Sequence, residues 1–300
     1  MSKATRIRQQ NAREKIAAQR VAARRAETRR RVLIVAGSIV AVLAIVVAFV
    51  LIKVNNNNAA SSSSASGGVY GTVLPASVAK DVTTVPASTL NSVGLGSVLS
   101  YSPKPLTAVS AKPLTSNGKP EMLFIGAEYC PYCAAERWAI AVALSRFGAF
   151  TTPLHGIHSS STDTDPSTPT LTFYKSSYSS PYLTFTPVEN ENLSRGPLQA
   201  TTAAQQAIWE KYDATSEGVG YPFIDFGNKY VLTAPSYDPG ILAHLTWAQV
   251  AAALHDPSSP VAQAAGGTAN LFTAAICKMT GDKPGNVCTA AGVVKAGQAL

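Results

Sequence analysis

The spacing of hydrophobic positions changes several times along this chain, and each change marks a predicted element. Residues 32–52, VLIVAGSIVAVLAIVVAFVLI, are apolar or small throughout and carry no charge. At ~1.5 Å rise per residue such a helix is roughly 31 Å long, about the thickness of a bilayer's hydrocarbon core. A transmembrane helix is therefore predicted over 32–53, with Lys53 at its outer end. A buried core helix of that length would carry a polar face, and the apolar region of a cleaved signal peptide is usually shorter. NNNNAASSSSASGG, residues 55–68, has no apolar period and reads as a flexible tether within 54–79. Residues 80–300 remain for one sizeable domain.

Inside that domain, Met122 to Ala127 is an unbroken run of apolar and small residues, the pattern of a strand buried on both faces. Beyond Pro131, AAERWAIAVALSRF places Ile140, Ala143, Leu144 and Phe147 at helical spacing, with Trp138 on the same broad side and Gly148 as a natural stop. LTFYKSSYSSPYLTF alternates as a hairpin would, with Leu171, Phe173, Leu183 and Phe185 on one face. Leu198–Tyr212 is helical in spacing, with Ile208, Trp209 and Tyr212 clustered. YPFIDFGNKYVLT holds two short apolar strands around Gly227-Asn228, which suits a two-residue turn. In HLTWAQVAAALH, Thr246 and Gln249 form a capping-box pattern, and the flanking His244 and His255 read as surface or helix-end residues.

Charge changes the picture at the N-terminus. The formal net charge is +8, but residues 1–31 hold eleven Lys or Arg against Glu14 and Glu27, so the tail carries +9 and residues 32–300 carry −1. Positive charge gathered before the span and one lysine after it predict a cytoplasmic N-terminus and an extracytoplasmic domain. The tail of residues 1–31 then reads as a juxtamembrane segment at anionic headgroups, each charge there being worth about 1 kcal/mol. Nucleic acid is not an expected partner.

All four cysteines, Cys130, Cys133, Cys277 and Cys288, fall on the predicted outer side, and an even count in an oxidising compartment suggests two pairs. Cys130 stands where the apolar strand meets the helix, with Pro131 at the first helical position. Unpaired N–H groups and the dipole at a helix N-terminus favour a thiolate, so Cys130 can attack while Cys133, one turn in, resolves the mixed disulfide. Glu128 and Glu136 would oppose the thiolate if they pointed inward. Cys277 and Cys288, in CKMTGDKPGNVC, read as a structural disulfide closing a turn, with a second redox pair as the alternative.

Strand, C-P-Y-C and helix together resemble the active site of the thioredoxin superfamily, Pro131-Tyr132 being the glutaredoxin-type dipeptide. The Tyr221–Thr233 hairpin resembles the one those proteins enter through a cis-proline beside the cysteines, and Pro222 occupies the corresponding place. The longer wording, FIGAEYCPYCAAERW and far downstream YPFIDFGNKY, is similar to a thioredoxin-like family known as a domain of unknown function, over most of residues 80–290. The resemblance implies an α/β, thioredoxin-like fold with its second strand at Pro153–His158. A long insertion, about 159–218, would then precede the cis-proline strand, as in the disulfide-bond-protein branch.

It also implies a membrane-anchored, extracytoplasmic thiol–disulfide oxidoreductase acting on protein thiols or disulfides and reset by a redox partner. Cys130 and Cys133 would be catalytic, and Pro131, Tyr132, Tyr221 and Pro222 would shape the active site. The motif leaves the direction of electron flow open. Two alternatives share the fold: a copper chaperone and a non-catalytic partner-binding module. A closed zinc site wants four ligands, and His155 and His158, three apart on a strand, would face opposite sides. No metal site and no cofactor is expected.

Overall fold

The computed structural model describes residues 71–300. The basic tail, the predicted span 32–53 and most of the tether lie outside the described residues. Among the described residues no helix is long and apolar enough to cross a membrane. They form a mixed α/β domain.

Its centre is strand β1, Lys119–Ala127, which runs directly into helix α1, Pro131–Leu144. Strand β2, Thr184–Glu191, lies parallel to β1, pairing Glu121 with Thr184 and Ile125 with Val188. Helix α2, Ala203–Asp213, begins on a capping box of Thr202 and Gln205 and leads to strand β3, Phe223–Phe226. β3 is antiparallel to β1, with Phe223 opposite Ile125 and Phe226 opposite Met122. Strand β4, Tyr230–Leu232, pairs antiparallel with β3, and helix α3, Gly267–Thr280, completes the unit. The strand order is thus β4-β3-β1-β2, with Thr107–Ala108 outside β4 and Thr115–Ser116 pairing the start of β1.

The period-2 alternation of β1 explains why its run is apolar throughout. Met122 and Phe124 enter the larger core with Trp138 of α1 and Phe272 of α3, while Leu123 and Ile125 enter a second cluster with Trp209 of α2. Burial of α1 goes further than a single stripe. Every residue from Cys133 to Leu144 is buried, Arg137 and Glu136 included. Helix Ala76–Thr83 and strand Pro169–Thr172 of a small sheet also pack against α1. Trp138 Nε1 donates to Pro169 O at 2.9 Å, and Thr170 Oγ1 donates to Ala134 O at 2.7 Å.

The strand at residues 153–158 does not pair with β1. His155–His158 lies between Thr72–Val73 and Pro169–Thr172 in a separate antiparallel sheet, and the parallel partner of β1 is β2, inside the segment read as an insertion. The long excursion therefore separates α1 from β2, instead of separating β2 from the proline strand. HGIH and TFTPVENE are both short strands locally, and only distant pairing chooses between them. The expected hairpin divides likewise. Leu171, Phe173, Leu183 and Phe185 are all buried, but the first half joins the small sheet and the second becomes β2.

Two further boundaries move. Val78 and Val82 of helix Ala76–Thr83 are buried, so ordered structure begins N-terminal to residue 80. The hairpin turn holds three residues, since Phe226 pairs with Tyr230, and Gly227 and Asn228 take the positive φ of 69° and 56°. The Asn228 N–H donates to Asp225 Oδ1 at 2.6 Å, which holds the longer turn.

Candidate active site

Cys130 is the N-cap of α1, and Pro131 takes the first position, where a missing N–H leaves no hydrogen bond unmade. The Cys133 N–H donates to Cys130 Sγ at 3.2 Å. Cys130 is 5% exposed and lines a cleft, whereas Cys133 is fully buried behind it. Both are free thiols. The Cys130 pKa is lowered, first by the hydrogen bond from the Cys133 thiol, then by the Cys133 and Tyr132 N–H groups and the Arg137 charge, against the opposing effect of burial. Burial pushes the Cys133 thiol far up, and the hydrogen bond and charge of Cys130 add to it. One turn of helix thus separates a sulfur favoured as thiolate from one held as thiol.

The cleft, about 690 Å³, is bounded by Tyr129, Cys130, Pro131 and Tyr132 on one side and by Trp209, Val219, Gly220 and Tyr221 across from them. The Tyr221 ring meets Tyr129 edge-on at 6.3 Å and Trp209 at 5.1 Å. Its hydroxyl donates to Asn190 Oδ1 at 2.5 Å and reaches Glu191 Oε1 at 3.1 Å. Arg195 lies over the Tyr129 ring at 3.8 Å and pairs with Asp163 at 2.7 Å. The Tyr221-Pro222 bond is cis. The register of β3 on β1 sets Pro222, which is buried, at the Cys130 end of the sheet.

Both nearby glutamates point inward. Glu128 accepts from Thr172 Oγ1 at 2.8 Å, and burial raises its pKa. Glu136 accepts from the Ser236 N–H and Oγ, each at 2.7 Å, and burial pushes it up to about 7. Periodicity missed the ionic core beneath the cysteines. Arg137 and Glu189 form a fully buried pair, with Nε to Oε1 at 2.9 Å and Nη2 to Oε2 at 2.6 Å. Arg137 had one readable signal, a positive charge four residues after Cys133, next to Glu136 on an otherwise apolar helix. Glu189 and Arg195 had none.

Cys277 and Cys288 lie in another part of the chain and are joined, with Cα atoms 5.7 Å apart. His158 of the small sheet meets the Trp247 ring tilted by 35° at 5.0 Å, and His255 Nε2 lies 2.8 Å from Asp81 O. Thr246 and Gln249 form the capping box their spacing indicated. Among the described residues no three His, Cys, Asp or Glu side chains converge as a metal site would require.

Fold and site together define a mixed α/β domain whose helix-capping cysteine pair opens on an aromatic cleft. Residues 105–278 match the family model described as a domain of unknown function (DUF929), and the chain belongs to that family. No curated protein and no solved structure matches the chain.

Proposed function

We propose that this chain is a thioredoxin-like thiol–disulfide oxidoreductase, held to the membrane by residues 32–53, with its N-terminus cytoplasmic and its catalytic domain outside. One observation carries the reading: the Cys130 sulfur caps α1 at the wall of a cleft and accepts the Cys133 N–H, with Cys133 buried one turn behind. That asymmetry suits attack by one sulfur and resolution by the other. The strand order β4-β3-β1-β2, with β2 parallel to β1, supports the thioredoxin-like reading, as does the cis Tyr221-Pro222 bond. An aromatic cleft with backbone at its rim suits an extended protein segment presenting a cysteine.

In exchange, the Cys130 thiolate attacks a substrate disulfide, and the released substrate sulfur leaves with the electron pair. Cys133 then attacks Cys130 Sγ, freeing the second substrate sulfur. The reverse sequence oxidises a substrate dithiol, and the partner that resets the pair decides which direction runs. The test is acid-quenched thiol alkylation of intact cells expressing the full chain. A Cys130–Cys133 pair that cycles between oxidised and reduced forms supports the reading, and one that stays unchanged under both oxidant and reductant overturns it. A mostly oxidised pair at steady state marks an oxidase, a mostly reduced one a reductase or isomerase.

A further inference from the structure

Arg137 follows Cys133 by four residues and Cys130 by seven, so helical geometry puts all three on one side of α1. A guanidinium in that position is costly. Arg137 is fully buried, and although Nε and Nη2 reach Glu189 and Nη2 also reaches Ala127 O at 2.9 Å, Nη1 has no hydrogen-bond partner. A buried ion pair is often no more stabilising than apolar side chains of the same volume, and an unpartnered N–H adds a further cost. Packing alone therefore gives no reason for an arginine here.

The chemistry of the cysteines gives one. Ala127 lies between the two groups: its carbonyl accepts from Arg137 Nη2, and the Arg137 charge and the Ala127 backbone both act to lower the Cys133 pKa against burial. Five other ionisable groups face this region: Cys130, the Glu128 and Glu189 carboxyls, and the Tyr129 and Tyr221 phenols at the cleft. Every one of them is neutral or anionic. Arg137 is the buried cation beside Cys133; Arg195, the other cation at the cleft, lies over the Tyr129 ring with its side chain 55% exposed. Cys130 has the helix N-terminus to stabilise its charge, while Cys133, inside the first turn and without solvent, does not.

We propose that Arg137 is the positioning residue for the resolving step, its free Nη1–H and its charge stabilising the Cys133 thiolate as it forms. This rests on the exchange chemistry proposed above. In that step Cys133 gives up its proton, its sulfur bonds to Cys130 Sγ, and the bond from Cys130 to the substrate sulfur breaks. The substrate sulfur leaves with the electron pair and takes up one proton, so thiol and disulfide are conserved in number and no outside oxidant enters. Arg137 stays protonated throughout: burial lowers its pKa, but Glu189, Cys133 and Glu128 together more than offset that and the net shift is upward.

The two steps can be read separately with 5,5′-dithiobis(2-nitrobenzoate) on the reduced, detergent-solubilised full chain. Attack by Cys130 releases one coloured thiolate, and resolution by Cys133 releases a second. Glu189→Gln leaves the guanidinium uncompensated, so the pH midpoint of the second release should fall. Arg137→Met combined with Glu189→Gln removes both charges and should raise that midpoint by about one unit or more. At neutral pH its second release should slow about threefold per unit, because the thiolate fraction falls tenfold while nucleophilicity recovers part of the loss. The first release should change less in both variants. A merely structural role would slow both variants or neither, and either result overturns the proposal. If the double variant does not fold, Glu189→Gln decides by itself: a lowered midpoint supports the proposal, and an unchanged or raised one overturns it. Absence of the first release in the unmutated chain would overturn the exchange reading itself, which is a different outcome from an unchanged second step.

Discussion

The two cysteine pairs sit at opposite ends of helices, and the field each meets there differs in sign. Cys130 caps the N-terminus of α1, where unpaired N–H groups and the positive end of the dipole favour a thiolate. Cys277 lies in the last turn of α3, at the negative end, which closes on Gly281 in the left-handed region with φ of 67°. It is bonded to Cys288 of the short helix Gly285–Cys288. One pair borders a cleft as free thiols, and the other closes a turn. The helices that carry them are joined inside the core: Glu136 of α1 accepts from Ser236, whose hydroxyl lies 2.8 Å from Thr268 Oγ1 of α3.

The largest effect separates the pairs by chemistry. Cys130→Ser should lower exchange by on the order of a thousandfold, as expected when a nucleophile is removed. Cys133→Ser should instead accumulate mixed disulfides through Cys130, visible on non-reducing gels as substrate adducts. If the two variants trap substrate equally, the asymmetry between the sulfurs does not govern the reaction.

Next comes the link between the helices. Glu136 titrates at about 7 when folded, against 4.5 for a free carboxyl, so the folded protein holds an extra proton between those values. Its contribution is therefore fully present below about pH 4.5 and is lost as pH rises through about 7, a swing of about 3 kcal/mol. Glu136→Gln should flatten that part of the stability profile, measured by denaturant unfolding across the window. Asp225, raised by burial from 3.8 to about 6, leaves a swing of the same sign over a lower pH window. A profile unchanged by Glu136→Gln would mean that the carboxyl is not buried in solution as it is here.

Removing the second pair should cost stability without touching activity. The Cys277–Cys288 crosslink closes a 12-residue loop. In the chain-entropy account it is worth about 2.8 kcal/mol. Cys277→Ser with Cys288→Ser should show that loss in the unfolding midpoint while both steps at Cys130 and Cys133 keep their rates. Slowed exchange in a folded double variant would make the second pair a redox participant.

The smallest effect belongs to Arg195, whose side chain is 55% exposed in its pair with Asp163. Arg195→Ala should cost about 1 kcal/mol or less. A loss as large as that of the disulfide would place this loop among the staples of the fold.

What could be read from the sequence shares one physical character: it is short-range. The apolar run of β1, Pro131 after Cys130, the helical spacing beyond it, the Thr246–Gln249 capping box and the Gly227-Asn228 turn all act within about one turn or one hairpin of chain. The Cys277–Cys288 pairing belongs here too, being separated by 11 positions.

The rest was decided by contacts between residues far apart in the chain. β1 chose Thr184–Glu191 over His155–His158 as its parallel partner because pairing is set by which apolar faces can be buried together, and both segments look like strands on their own. Arg137 met Glu189 across 52 positions, and Tyr129, Arg195, Trp209 and Tyr221 met around Cys130 from separate loops and helices. Spacing rules carry no record of such meetings. The Cys130–Cys133 motif was thus written locally, while its cleft, the buried Arg137–Glu189 pair and the strand beside it exist only because the chain closes on itself.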